Sequence, residues 1–130
     1  MSSIAENLQA VHKTIAHAAQ HYGRNPTEID LLAVSKTFDA AHVIEAWNAG
    51  QRAFGENYLQ EALGKMQQTA TMLARQGELA RPIWHFIGPI QSNKTKAIAE
   101  NFSWVHSVDR EKIAERLSAQ RPAELGALQI

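Results

Sequence analysis

The chain contains no cysteine. Disulfides, thiolate nucleophiles and thiolate-bound zinc or iron–sulfur centres are therefore excluded. It also lacks a charge of either sign in excess: 13 basic residues balance 13 acidic ones, giving a formal net charge of zero over 130 residues. A balanced surface has no long-range field to gather nucleic acid or an anionic membrane, so neither is an expected partner. No apolar run approaches the ~18–20 residues that a membrane span requires, and the N-terminus does not read as a signal peptide. GxGxxG, GxxxxGK[ST] and GxSxG are all missing, which removes the usual phosphate-loop and serine-hydrolase readings. What is there is ordinary globular material, 45% hydrophobic and 20% charged, with seven Gly and four Pro. That composition predicts a cytoplasmic small-molecule protein folded as one domain over 1–130, with no internal boundary.

Apolar periodicity gives the order of elements. Ile4, Leu8, Val11 and Ile15 fall on one helical face, with Ser3 and Glu6 forming a capping box and Gly23 as the stop. Asn25-Pro26 predicts a turn. Leu31 to Lys36 is a continuous apolar run ending in a charge, the pattern of a strand covered on both faces. Asp39 caps a helix carrying Val43, Ile44 and Trp47, which Gly50 closes. Arg52-Ala53-Phe54 is a short strand. Tyr58 to about Arg75 is a long helix with Leu59, Leu63, Met66, Ala70 and Leu73 along one side, and Gly64 weakens its middle. Pro82 to Ile87 is a strand, Ser92 to Asn101 a short helix, and Trp104 to Val108 a further strand. Asp109 caps a helix containing Ile113 and Leu117 that ends at Arg121-Pro122. Ala127 to Ile130 then reads as the start of a fifth strand. Such alternation predicts a parallel sheet with right-handed crossovers, either open and doubly wound or part of a (β/α)₈ barrel. A complete barrel needs ~250 residues, so only about its first half is expected here.

Lys36 is the most informative single residue. It shares a strand face with Leu32 and Val34 and sits at the strand's C-terminal end, where α/β proteins place ligands. Partial burial there would favour the neutral amine that condenses with an aldehyde; the plain alternative is a lysine snorkelling into solvent. The loops Gly55-Glu56-Asn57, Gly88 to Lys94 and Ser107 to Arg110 follow the next three strands and would gather at the same end. Within them, Ser92 and Asp109 read as helix N-caps. His17 and His21 have the four-residue spacing of a metal-ligand pair but no third ligand, so they read as solvated helix histidines and no metal site is expected. His85 is assigned to the ligand pocket. His106 is left open between pocket and core.

The blocks Leu31-Leu32-Ala33-Val34-Ser35-Lys36-Thr37, Phe54-Gly55-Glu56-Asn57-Tyr58 with Gln60-Glu61, Trp84-His85-Phe86-Ile87-Gly88-Pro89 with Gln91-Ser92-Asn93-Lys94, and Val105 to Arg110 resemble, in order and spacing, the pyridoxal phosphate homeostasis protein family. The likeness runs from Ile4 to Ile130. It implies an α/β fold of the parallel (β/α)₈ TIM-type barrel, with fold type III pyridoxal 5′-phosphate binding as in the N-terminal barrel of alanine racemase. By that resemblance Lys36 forms a covalent aldimine with pyridoxal 5′-phosphate, and Asn57 and His85 lie near the pyridine ring. The cofactor would be held as a reversible Schiff base for intracellular homeostasis without catalytic turnover, and passed to pyridoxal phosphate-dependent apo-enzymes. The family's full-length form would be monomeric. The family is longer than this chain, and its phosphate-binding loops and the arginine facing the pyridine nitrogen lie in the later half, so a self-associating fragment is also expected. Two alternatives stand beside this reading: a racemase-like enzyme, and a shortened chain that no longer binds the cofactor.

Overall fold

The computed structural model describes residues 3–130. Its centre is a parallel sheet of four strands in sequential order, β1 (Ala33–Val34), β2 (Ala53–Glu56), β3 (Ile83–Phe86) and β4 (Trp104–Val105). Helix α1 (Ile4–His21) precedes β1, and α2 (Ala40–Asn48), α3 (Leu59–Arg75) and α4 (Thr95–Asn101) form the three crossovers. Helix α5 (Glu111–Gln120) follows β4. Consecutive parallel strands need such crossovers, because a hairpin can only reverse direction.

Local sequence explains most boundaries. Ser3 Oγ accepts the Glu6 amide at 3.1 Å to start α1, and Asp39 accepts the His42 amide at 3.1 Å to start α2. Gly23 and Gly50 follow these helices with φ of 68° and 104°, a conformation that side chains rarely tolerate. Pro26 sits at the first position of a 3₁₀ turn, Pro26–Glu28, whose amide at Thr27 bonds to Asn25. Beyond the last helix, Gln129 donates to Ser103 O and accepts from Val105 N, both at 3.0 Å, forming a parallel bridge with Trp104. This isolated bridge falls where the sequence predicts the start of a fifth strand.

Register sorts the side chains. Ala33, Phe54 and Trp84 pair across the sheet, as do Phe86 and Val105, and these face the helices. Together with Val43, Ile98, Phe102, Ile113 and Leu117 they make the core. The opposite row, Val34, Gly55, His85 and Trp104, lies on the face that no helix covers. Val34, Ile83 and Trp104 are 50%, 42% and 36% exposed there. At the strands' N-terminal ends the buried Gln51 amide donates to Leu31 O at 2.7 Å and Ala53 O at 2.8 Å, joining β1 to β2 below their first backbone rung.

Four expectations are corrected. The β1 strand is not covered on both faces: Ala33 packs against the core, while Val34 is half exposed. Ser92 is not a helix N-cap: it begins a 3₁₀ turn, Ser92–Lys94, and it is its carbonyl, not its hydroxyl, that bonds to Thr95. Asp109 does not cap α5; Arg110 holds that position, and Asp109 instead pairs with Arg110 Nε at 3.5 Å. On α3 the buried stripe is Ala62, Lys65, Thr69 and Leu73, rotated from the expected apolar stripe.

Candidate functional site

All four strands point the same way, so the loops at their C-terminal ends share one rim of the sheet. Ser35-Lys36-Thr37 follows β1, Asn57-Tyr58 follows β2, Gly88 to Gln91 follows β3 and His106 to Arg110 follows β4. Lys36 stands at this rim as expected, but it is exposed rather than partly buried. It joins none of the salt bridges among the described residues. Ser35, one position earlier, is buried, and Thr37, one position later, has φ of 67°. A left-handed conformation costs a β-branched residue energy, so the surroundings must hold it.

Those surroundings are a buried ionic network behind the rim. Lys65 of α3 is 4% exposed and Glu56 of β2 is 0% exposed. The Lys65 ammonium donates to Ser35 O at 2.6 Å, Glu56 Oε2 at 2.8 Å and Glu61 Oε1 at 3.4 Å, which uses all three of its protons. The Ser35 hydroxyl donates to the same Glu56 oxygen. Glu61 Oε1 also accepts the Thr37 amide at 2.7 Å. Sequence reading missed Lys65 because a lysine counts as solvated by default. The available signal was Glu56: Phe54 and Glu56 alternate onto one face, so a carboxylate had to enter the core and find a cation.

Asn57 is set by a close approach of two rim loops. A Cβ on Gly88 would stand 2.9 Å from Asn57 Cβ and 3.0 Å from Asn57 O, so only glycine lets β3's loop lie against β2's. The Asn57 Oδ1 is buried without a hydrogen-bond partner. A carbonyl oxygen in that state is a free acceptor facing no donor of its own chain.

His85 lies on the open face, half-buried, with its ring stacked on Trp104 at 5.3 Å and 4°. Its Nδ1 is 2.9 Å from His106 Nε2. Burial, then the neighbouring His106, lower its pKa from 6.5 to about 4, so the ring is neutral at pH 7. Beside it, Leu32 and Ile87 converge over Gly55, whose Cβ would meet Ile87 at 3.3 Å. His106 thus falls with His85 on the open face rather than in the core. His17 and His21 are exposed on α1, and among the described residues no group of three or more His, Asp or Glu is placed to hold a metal ion. No helix of the described residues is long and apolar enough to cross a membrane.

Comparison with known proteins places this geometry. The model of the alanine racemase N-terminal domain matches residues 6–130. The pyridoxal phosphate homeostasis protein of Pseudomonas aeruginosa is 59% identical over 130 residues, which is 100% of this chain and 53% of that protein. PipY of Synechococcus elongatus, solved with PLP bound, superposes with a TM-score of 0.62 at 42% identity, over 82% of this chain and 47% of its own. A crystal structure of an unknown protein from Bifidobacterium adolescentis gives a TM-score of 0.80 at 32% identity, over 90% of this chain and 49% of that one. The chain spans about half the length of the curated relatives it matches.

Proposed function

The chain belongs to the alanine racemase N-terminal domain family, and on that premise we propose that it is the N-terminal half, over residues 1–130, of a single pyridoxal 5′-phosphate-binding barrel domain serving cofactor homeostasis. One observation carries the proposal. At a single rim, the fold presents an exposed primary amine, Lys36, together with a buried acceptor, Asn57 Oδ1, that has no partner within the chain.

The residues present suit the cofactor's reactive end. Pyridoxal 5′-phosphate supplies, when bound, an aldehyde that condenses with a primary amine with loss of one water, and hydrolysis reverses the step. Lys36 is the amine. Asn57 offers its free oxygen to a donor on the ligand side. His85, neutral at pH 7 and stacked on Trp104, presents a flat, uncharged flank toward the ring. The phosphate grip belongs, by the family resemblance, to the half of the barrel that this chain does not span.

We assign carriage rather than catalysis. Holding and releasing an aldehyde needs a nucleophile and a pocket, whereas racemisation also needs a proton-transferring group on each face of the ring. On the sheet face beside this rim, the ring nitrogens of His85 and His106 are engaged with each other by a hydrogen bond. Apo-enzymes that require the cofactor are the proposed recipients. The relatives' names as homeostasis proteins and the PLP bound in PipY support this reading.

The test is chemical. The protein is mixed with pyridoxal 5′-phosphate, reduced with borohydride and mapped by mass spectrometry. The expected adduct lies on Lys36 and is lost in Lys36→Ala. Labelling of another residue, or none, overturns the assignment. Cofactor-dependent loss of optical activity from L- or D-alanine overturns the carrier reading in favour of an enzyme.

A further inference from the structure

The Glu56–Lys65 pair has no part in the chemistry described so far, yet it is the most deeply buried pair of charges among the described residues. Burying two opposite charges is a poor route to stability, because desolvation offsets most of their attraction. What the pair does instead is visible in its partners. The Lys65 ammonium holds Ser35 by its carbonyl, and Glu56 holds Ser35 by its hydroxyl. The same ammonium reaches Glu61, whose Oε1 holds the Thr37 amide at 2.7 Å. The bonds therefore grip the residue before Lys36 and the residue after it. Lys36 itself is left exposed. The turn between them includes Thr37 at φ 67°, a conformation that an unrestrained β-branched residue leaves readily.

We propose that Glu56, Lys65 and Glu61 are positioning residues that clamp the Ser35–Thr37 turn from behind and hold Lys36 ready for an aldehyde ligand. The inference rests on Lys36 being the binding amine. Clamping the backbone while leaving the side chain free lowers the ordering cost of binding without occupying the amine. The charges are what make the clamp specific. One ammonium has three protons and three acceptors from three different segments, and no single neutral side chain supplies that geometry.

Glu61 gives the decisive variants, since its side chain is 37% exposed and its replacement leaves the core intact. Glu61→Ala removes the acceptor of the Thr37 amide, while Glu61→Gln retains a carbonyl oxygen there. The expected result is faster hydrogen exchange at the Thr37 amide in Glu61→Ala and about tenfold slower capture of pyridoxal 5′-phosphate at Lys36, the scale of one lost charge-assisted hydrogen bond. Glu61→Gln should restore both most of the way. Lys65→Met should show the same loosening more strongly wherever circular dichroism confirms that it folds. The proposal is overturned if Glu61→Ala captures the cofactor at the wild-type rate with Thr37 still protected, or if Glu61→Gln behaves like Glu61→Ala. Trace acetylation of Lys36 in the absence of cofactor separates the two readings. If the wild-type chain fails to capture pyridoxal 5′-phosphate, the proposed function falls. The clamp is then judged by whether Glu61→Ala alters exchange at Thr37 and the pH profile of Lys36 acetylation.

Discussion

Two glycine-to-alanine substitutions in this chain should change stability in opposite directions, and the structure says why. Gly88 does not need its glycine for backbone freedom, because its φ is not positive. It needs it for space. An added Cβ would lie 2.9 Å from Asn57 Cβ, 3.0 Å from Asn57 O and 3.2 Å from Asn57 Cα, all nearer than ordinary contact, which begins at 3.4 Å. Two of those three atoms are backbone, so no rotamer change relieves the crowding and one rim loop must move. Overpacking of this kind costs about 1–3 kcal/mol. Gly64, in the middle of α3, has nothing within 4 Å of its would-be Cβ. Alanine there should gain about 0.5–1 kcal/mol from helix propensity alone. Urea titration by circular dichroism checks both. Gly88→Ala should lower the midpoint by roughly 1 M and Gly64→Ala should raise it, with unchanged slopes. Because the displaced atoms belong to Asn57, Gly88→Ala should also weaken pyridoxal 5′-phosphate binding while Gly64→Ala leaves it alone. A Gly88→Ala midpoint at or above wild type refutes the close-approach argument.

Other outcomes follow from single residues. His85 has a folded pKa of about 4 against 6.5 when unperturbed, so the unfolded chain binds a proton that the folded chain does not. Stability from this group is complete above pH 6.5 and declines as pH falls toward 4, with a slope of at most one proton that His85→Gln should abolish; nitrogen-15 NMR should find the His85 midpoint near 4, and a midpoint near 6.5 contradicts it. Arg121 donates to Ala99 O at 2.7 Å, Phe102 O at 2.6 Å, Gly126 O at 3.0 Å and Leu125 O at 3.3 Å, tying the end of α4 to the segment before Gln129. Arg121→Ala should cost about 2–3 kcal/mol and release the Gln129 amide to fast hydrogen exchange; continued protection there shows that the bridge to Trp104 holds without it. Asn57→Ala should weaken cofactor binding measured by equilibrium titration with little loss of stability, because the oxygen removed has no partner to abandon.

The alternation of strands and helices was legible because each element carries a local signal. Asp39, Gly23, Gly50 and Asn25-Pro26 mark ends through their own backbone chemistry, and the structure keeps all of them. Strand lengths were not legible. Trp104 to Val108 reads as five strand residues, but only Trp104–Val105 pairs with a neighbour, since pairing depends on a partner strand and not on apolar content. The Ser92 and Asp109 assignments failed for a related reason: N-cap propensity says which residue suits a helix start, while the fold chooses where that start falls. At the site, Lys36 was visible as a charge closing an apolar strand. The network behind it was not, because Lys65 belongs to α3 and meets Ser35 only after the β1–α2–β2 crossover is formed. Residues 30 apart in sequence share no local pattern.

Gln51 shows how far the specification of the rim extends. It sits at the opposite ends of the strands from Lys36, and its amide bonds to Leu31 O and Ala53 O fix how β1 meets β2. A parallel strand that slips by one residue turns every side chain to the other face. Such a slip would send Val34 toward the helices and bring Ala33 to the open side, carrying with it the turn that holds Lys36. The position of Lys36 is thus written in part at the foot of the strand, by a glutamine at the far end of the sheet from the rim.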